Sequence, residues 1–350
     1  MSQHSRDLSR RRLLLGGAAL GAGTFLTACT SNEAQPTQAQ TKDVAAGGNA
    51  APGEKVVIGF SAPAADHGWI AAITNNAKAQ AATYTDVEFK SVEAGADAAA
   101  QRAALSTLIA QKPQVIVLLP HDGKELNAFG LEAMAAGIPV VNLDRAFPDA
   151  RAYRTQIKGD NYGMGVAAAA YIIAQMKARG VSSPVIGEIP GIDSLELTQE
   201  RSKGFADTLN AAGFKVQRRV PAEFTADTGQ RAASQLLQAL PKLDALWNHD
   251  DDQGIGVLAA ANQAGRKEFI MVGGAGSKKA MGDIQTDNTP LKATVTYSPS
   301  MASSAISLAR LIGQNKGMAD LVELQVPKEL VLASETITKE NASKYLKFGF

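Results

Sequence analysis

Charged, amide and aromatic side chains recur in this sequence where apolar runs end. Asp66-His67-Gly68-Trp69 follows "KVVIGFS", Pro120-His121-Asp122 follows "QVIVLL", and Asp144-Arg145 closes "IPVVNL". Asn248-His249-Asp250-Asp251-Asp252 and Tyr297 stand at the ends of two later runs. Such groups suit a small polyhydroxylated molecule, whose hydroxyls both donate and accept hydrogen bonds and whose C–H faces are apolar. Carboxylates, Arg and amides meet the hydroxyls, and aromatic rings cover the carbon skeleton. A hydrogen bond to a charged group contributes about 1.5–3 kcal/mol. Micromolar affinity needs about 8 kcal/mol net. A handful of such contacts therefore suffices after ordering costs.

Each cluster also has a plainer explanation. Trp69 would serve as a core aromatic at a helix start, although beside Gly68 and two polar residues it is expected to be partly exposed. Asp144 and Arg145 would form a surface ion pair in a turn. In Asp250-Asp251-Asp252, acids suit an N-cap and first helical turn, and two of the three are expected to do only that. Adjacent side chains diverge, and neither a calcium-loop spacing nor HExxH is present, so no metal site is expected. "GGAGSKK" (273–279) lacks the GxxxxGK[ST] register and reads as a strand-to-helix turn. There is no GxSxG, and the sole cysteine is Cys29, so nothing supports nucleophilic catalysis. No carboxylate pair is singled out for glycoside chemistry, and no cofactor is called for.

The elements that must position these groups follow from periodicity. "KVVIGFS" (55–61), "VEFKSV" (87–92), "QVIVLLP" (114–120) and "IPVVNLD" (138–144) are strand candidates separated by segments long enough for crossover helices. The pattern starts again with "YRTQIKGD" (153–160), a helix near 162–179, then "PVIGEIP" (184–190), "FKVQRRV" (214–220), "LDALWNH" (243–249), "EFIMVGG" (268–274) and "LKATVTY" (291–297). Strand and helix alternating in this way predict α/β architecture with two doubly wound parallel sheets. In open α/β sheets, ligands bind at the carboxyl ends of the strands. Asp144 and Arg145 stand at such an end.

With 350 residues, 45% hydrophobic, the chain is long enough for two lobes with separate cores. Thirty-five Lys and Arg against 34 Asp and Glu give a net charge of +1, which provides no long-range attraction to nucleic acid. Arg10-Arg11-Arg12 leads into an apolar Gly/Ala-rich run, Leu13 to Ala28. This reads as an export signal over 1–29. Its Ser9–Leu14 stretch resembles a twin-arginine signal, and Leu26-Thr27-Ala28-Cys29 resembles the lipobox of bacterial lipoproteins, with Cys29 as the lipidation site. Residues 30–54, rich in Gln, Thr, Ala, Gly and Pro, read as a flexible tether. One cysteine also excludes an internal disulfide. The expected location is the outer face of the cytoplasmic membrane, held there by lipid.

From about Val56 to Val331 the chain resembles the periplasmic sugar-binding proteins of ABC importers, of the ribose-binding type. "DHGW" (66–69), "GIPVVNLDR" (137–145), "GDNYGMG" (159–165), "TQERSKGF" (198–205) and "NHDDDQGIGVL" (248–258) carry the resemblance, in order along the chain. It implies two lobes joined by a three-strand hinge, 55–158 plus 298–325 and 159–297 plus 326–350, with crossings near 158–161, 296–299 and 325–328. Its ligand residues fall on His67, Trp69 and neighbouring Ile70, on Asp144, Arg145, Arg201, Phe224 and Asp250, and on Tyr297 in place of a Gln. Asp160 and Asn161 match the first crossing and cap a helix. "GGAG" replaces "GFDG", so Ala275 stands for a hydroxyl-binding carboxylate, and the ring face of a Phe pair is reduced to Trp69 next to Ile70. These departures point away from ribose toward another monosaccharide, a linear sugar alcohol or a cyclitol.

The resemblance implies a monomeric binding protein, not an enzyme, which delivers its sugar or polyol to ABC permease subunits. A sensory binding protein for a sugar-like signal is the alternative, with a glycoside-processing enzyme behind it. A DNA-binding regulator is disfavoured because signal and tether occupy the place of a helix-turn-helix.

Overall fold

A computed structural model describes residues 48–95, 97–318 and 325–350. The export signal, Cys29 and the tether up to residue 47 lie outside the described residues. The first sheet holds β1 (Val56–Ala62), β2 (Val87–Glu93), β3 (Val115–Leu118), β4 (Val140–Leu143) and β5 (Thr155–Gly159). The second holds β6 (Ile186–Ile189), β7 (Val216–Arg219), β8 (Ala245–Asn248), β9 (Ile270–Ala275) and β10 (Leu291–Thr296). β11 (Glu329–Leu332) joins the first sheet and β12 (Thr336–Thr338) the second.

The helices are α1 (Gly68–Ala82), α2 (Ala98–Ala110), α3 (Gly123–Ala135), α4 (Asn161–Ala178), α5 (Glu196–Ala211) and α6 (Ala226–Ala239). They continue with α7 (Asp251–Gln263), α8 (Lys278–Thr286), α9 (Met301–Gly313) and α10 (Ala342–Tyr345).

The strand orders are β2-β1-β3-β4-β5-β11 and β7-β6-β8-β9-β10-β12. Both sheets thus repeat one doubly wound order, with a switch point between β1 and β3 and another between β6 and β8, where crossovers leave on opposite faces. Covered on both faces, β3 and β4 are buried throughout, which is why they read as unbroken apolar runs. Helix α9 returns to pack on α1 and the first sheet.

The structure corrects the sequence analysis at three points. "YRTQIKGD" does not open the second series: β5 pairs with β4 within the first sheet. The third crossing lies between Leu332 and Thr336 rather than near 325–328, because β11 first runs parallel to β5. The second sheet is not purely parallel, since β12 pairs antiparallel to β10 at its edge.

Beneath the first sheet a buried ion pair ties α9 to the β1–β2 edge. Arg310 donates from Nε to Asp86 Oδ1 at 2.8 Å, Gln314 Nε2 and Gly53 N add bonds of 2.8 and 2.6 Å to Oδ2, and the guanidinium lies 4.5 Å over the Tyr84 ring. Arg310 beside Asp86 holds the carboxyl well below the usual carboxylate range. A depressed folded-state value means that the stabilisation is fully present above the unfolded value, about 3.9, and is lost as pH falls toward the folded one. Asp86→Asn is expected to cost about 1–3 kcal/mol in urea unfolding at pH 7, because it replaces the charge-assisted hydrogen bonds from Arg310 by bonds to a neutral amide. It should also flatten the decline of stability below about pH 4. A wild-type midpoint in the variant would show that the pair contributes nothing.

Candidate functional site

The carboxyl ends of the two sheets converge on a narrow cavity lined by His67, Trp69, Asp144, Arg145, Leu197, Arg201, Phe224, Asp250, Ala275 and Tyr297. Eight of the nine residues named from sequence as ligand contacts are among them, all but Ile70. Leu197 was not singled out, and Ala275 was noted only as a departure from the ribose type. Ile70 turns away into the core, being 1% exposed.

The first lobe supplies its polar pair from a distorted strand end. Asp144 leaves β4 with φ 65°, a left-handed conformation that Asp tolerates better than most residues. Buried Asn142 fixes this turn, donating to Arg145 O at 3.0 Å and accepting from Phe147 N at 3.1 Å and Gln156 Nε2 at 2.9 Å. Asp144 and Arg145 are both buried, so they do not form a surface ion pair. Asp144 accepts from the Tyr297 hydroxyl, and Arg145 Nη1 donates to the carbonyls of His121 and Pro120. His121 and Asp122 do not line the cavity; Asp122 caps α3 through Lys124 N and Glu125 N.

Arg201 is placed by close helix packing. A Cβ on Gly165 would come within 2.1 Å of Arg201 O, and one on Gly204 within 2.1 Å of Tyr162 O. Only glycine at both positions lets α4 and α5 approach so nearly. Arg201 Nε then donates to Asn161 Oδ1 at 2.9 Å, and its guanidinium lies 4.4 Å over the Tyr297 ring and 6.0 Å from that of Phe224. Asn161 therefore orients the arginine, while Asp160 caps α4 through Gly163 N at 2.8 Å.

Trp69 is buried rather than partly exposed, at 5%, because its indole Nε1 donates to Tyr297 O at 2.8 Å. Phe224 adopts φ 65° and is held by its N–H to Gln253 Oε1 at 2.9 Å; its ring stacks on His67 with centroids 6.1 Å apart.

The acidic run divides its work. Asp250 caps α7 through Asp252 N at 2.8 Å and Gln253 N at 3.2 Å while facing the cavity. Asp251 accepts from Gly274 N, Gly276 N and Ser277 N at 2.7–3.0 Å and from the Thr294 hydroxyl, bracing the turn after β9. Asp252 reaches the other lobe and accepts from Trp69 N at 3.1 Å. That contact joins residues 183 apart, so no local pattern signalled it.

Burial pushes the Asp250 carboxyl up to about 6, although His67 and the capping N–H groups oppose this. Burial works against charge on His67, but the hydrogen bond it donates to Asp66 and the charges of Asp250, Asp66 and Asp252 outweigh it and raise the imidazole above its ordinary value. Burial and Asp144 raise the Tyr297 phenol, keeping it a hydrogen-bond donor. Behind the cavity, burial pulls the His249 imidazole down to about 4, and Nε2 lies 3.0 Å from Glu188 Oε1. Neutral His249 thus donates from Nε2, leaving Nδ1 as a lone pair rather than an orphaned N–H. Among the described residues no group of three or more His, Cys, Asp or Glu is arranged to hold a metal ion.

Comparison with known proteins agrees with this architecture. The ribose import binding protein of Bacillus subtilis is 29% identical over 210 residues, 60% of this chain and 66% of that protein, so the match spans just under two thirds of the relative. The galactofuranose-binding protein of Escherichia coli is 26% identical over 84% of this chain and 93% of its own length. A Mycobacterium smegmatis protein solved with β-D-fucofuranose shares the fold with a TM-score of 0.75 at 24% identity, covering 83% of this chain and 94% of that one. The periplasmic binding protein domain model matches residues 58–317, and the chain belongs to the periplasmic binding protein family.

Proposed function

We propose that this chain is an extracytoplasmic solute-binding lipoprotein that captures a neutral monosaccharide or sugar alcohol between its lobes and delivers it to an ABC permease. The observation that carries this proposal is the composition of the cavity between the two sheets. Asp144 and Arg145 come from the first lobe and Arg201 and Asp250 from the second, with Trp69, Phe224 and Tyr297 around them. Apart from His67, which pairs with Asp66, two cations face two carboxylates, so a neutral ligand leaves no charge among these four uncompensated. Arg145 Nε is in addition a buried donor with no partner among the described residues, a cost that a ligand oxygen would offset.

The relatives are importer proteins for ribose and a binding protein for galactofuranose, which supports transport of a sugar and not catalysis. Family membership supports export to the periplasm. Lipidation at Cys29 rests on the Leu26-Thr27-Ala28-Cys29 box, and monomeric function on the completeness of the cavity within one chain. Ala275 offers no side-chain acceptor, and Tyr297 already engages Asp144. Both favour a compact ligand other than ribose: another monosaccharide, a pentitol or tetritol, or a cyclitol.

A thermal-shift screen of pentoses, hexoses, pentitols, tetritols and inositols is expected to reveal a ligand, because binding at 100 times Kd adds about 2.7 kcal/mol to the native state. No response to any neutral polyol would sink the proposal. For the compound found, Asp144→Ala and Arg201→Ala should each weaken binding by about 2 kcal/mol or more in calorimetry, with circular dichroism unchanged. Wild-type affinity in both would refute the site.

Asp250→Asn should separate stability from binding. An acid raised to about 6 in the folded state favours folding most below its unfolded value, and the loss is complete by pH 7. Since Asn caps helices as well as Asp does, the variant should gain about 1–3 kcal/mol at pH 7. It should nevertheless bind the screened compound more weakly. A lower melting point for Asp250→Asn would contradict this account.

A further inference from the structure

Helix α1 begins without a cap of its own. His67 occupies its N-cap position but makes no side-chain cap bond, its ring turning instead to Asp66. By contrast Asp97, Asp122, Thr225, Asp250 and Ser277 each cap the helix that follows them. The N–H left over in α1 is that of Trp69, the second helical residue, which an N-cap side chain ordinarily serves. Its acceptor is Asp252 Oδ2, on the other lobe, at 3.1 Å.

A second observation concerns Gly68. Its backbone is not in the left-handed region, so conformation does not require glycine there. A Cβ at this position would instead stand 3.0 Å from both carboxylate oxygens of Asp252. The missing side chain makes room for the carboxylate. Asp252 does not line the cavity, and its own N–H is fixed by Asp250 Oδ1 at 2.8 Å, so the group projects from a rigid helix start.

We infer that Asp252 is a closure latch, a positioning residue that caps α1 across the cleft and favours the closed arrangement of the lobes without touching ligand. The carboxylate lies at the N-termini of α1 and α7 together, where both helix dipoles favour negative charge. When the lobes part, α7 keeps its own cap, Asp250, whereas α1 loses its only one. The bond therefore acts on the open–closed equilibrium rather than on the folding of either lobe. His67 and Asp250 are the other titratable groups facing this contact, and both remain in place in the variants below.

The test reads closure directly. Cys29→Ser removes the only native cysteine, and spin labels are placed at Arg102 and Arg231, exposed positions on α2 and α6. Double electron–electron resonance on the full chain in buffer then gives the populations of the open and closed forms. Gly68→Ala and Asp252→Ala are each expected to lower the closed-to-open ratio about fivefold, a change of the size expected for a lost helix cap. Asp252→Asn, which keeps an acceptor oxygen, should fall between. Because alanine suits a helix better than glycine, Gly68→Ala should not lower the melting point, which distinguishes a latch from a residue needed only for folding. A wild-type distribution with no closed component, or a ratio that Gly68→Ala leaves unchanged, overturns the inference. The inference rests on the proposed site only for its consequence in binding. A failed ligand screen would remove that proposal and leave the label distances standing.

Discussion

Tyr297 is the contact on which the closed cavity depends. It stands where the chain leaves β10 to cross back to the first lobe, and it is 4% exposed. Its hydroxyl bonds to Asp144 and its carbonyl accepts the Trp69 indole N–H, both on the first lobe, while the Arg201 guanidinium of the second lies over its ring. One residue thus binds a carboxylate, an aromatic and a cation drawn from three distant stretches of sequence. A Gln there would offer amide bonds but no ring for Arg201 or Trp69 to pack against. Replacing it also replaces the wall of the cavity.

Three non-glycine residues lining the cavity have left-handed backbones, Asp144 at φ 65°, Phe224 at 65° and Ala275 at 89°. Such conformations cost of order ~1–3 kcal/mol each and persist only where the surroundings over-determine them. Behind each stands a buried polar side chain that takes up the distorted backbone. Asn142 binds the turn after Asp144, Gln253 binds Phe224 N and also Ile189 O, and Asp251 gathers three N–H groups around Ala275. The distortion turns the chain sharply where a strand would otherwise continue, which is how residues at strand ends come to face a ligand.

The same physics explains what the sequence shows and what it hides. Strands buried on both faces are apolar, so β1, β3 and β4 read as Val- and Ile-rich runs with polar residues massed at their carboxyl ends, whereas the edge strands β2 and β7 carry charged residues and show only through their place in the alternation. β11 was not legible, because it is an edge strand with Val331 52% exposed, and β12 has only three residues. With both missed, the third crossing was placed too early. Trp69 was expected to be partly exposed because Gly68 and His67 flank it, yet its burial is decided by Tyr297, 228 residues away. Asp252 was credited to its own helix for the same reason. Local pattern locates an acid at a helix start but cannot say whose helix it caps.

The distribution of charge bears on how such a protein closes. Beside His67, which is paired with Asp66, each lobe brings one cation and one anion to the cavity, Asp144 with Arg145 and Arg201 with Asp250. Neither lobe face therefore carries a strong net field, and nothing steers a charged solute into the cleft. Closing removes all four groups from water, which is costly unless each finds a partner. The protein supplies some of these partners itself, through Tyr297, Asn161, and the carbonyls of Pro120 and His121. Hydroxyls held by both lobes at once would supply the rest. Only contacts that exist in the closed form shift the equilibrium toward it, so a solute gripped by one lobe alone would bind without closing the protein.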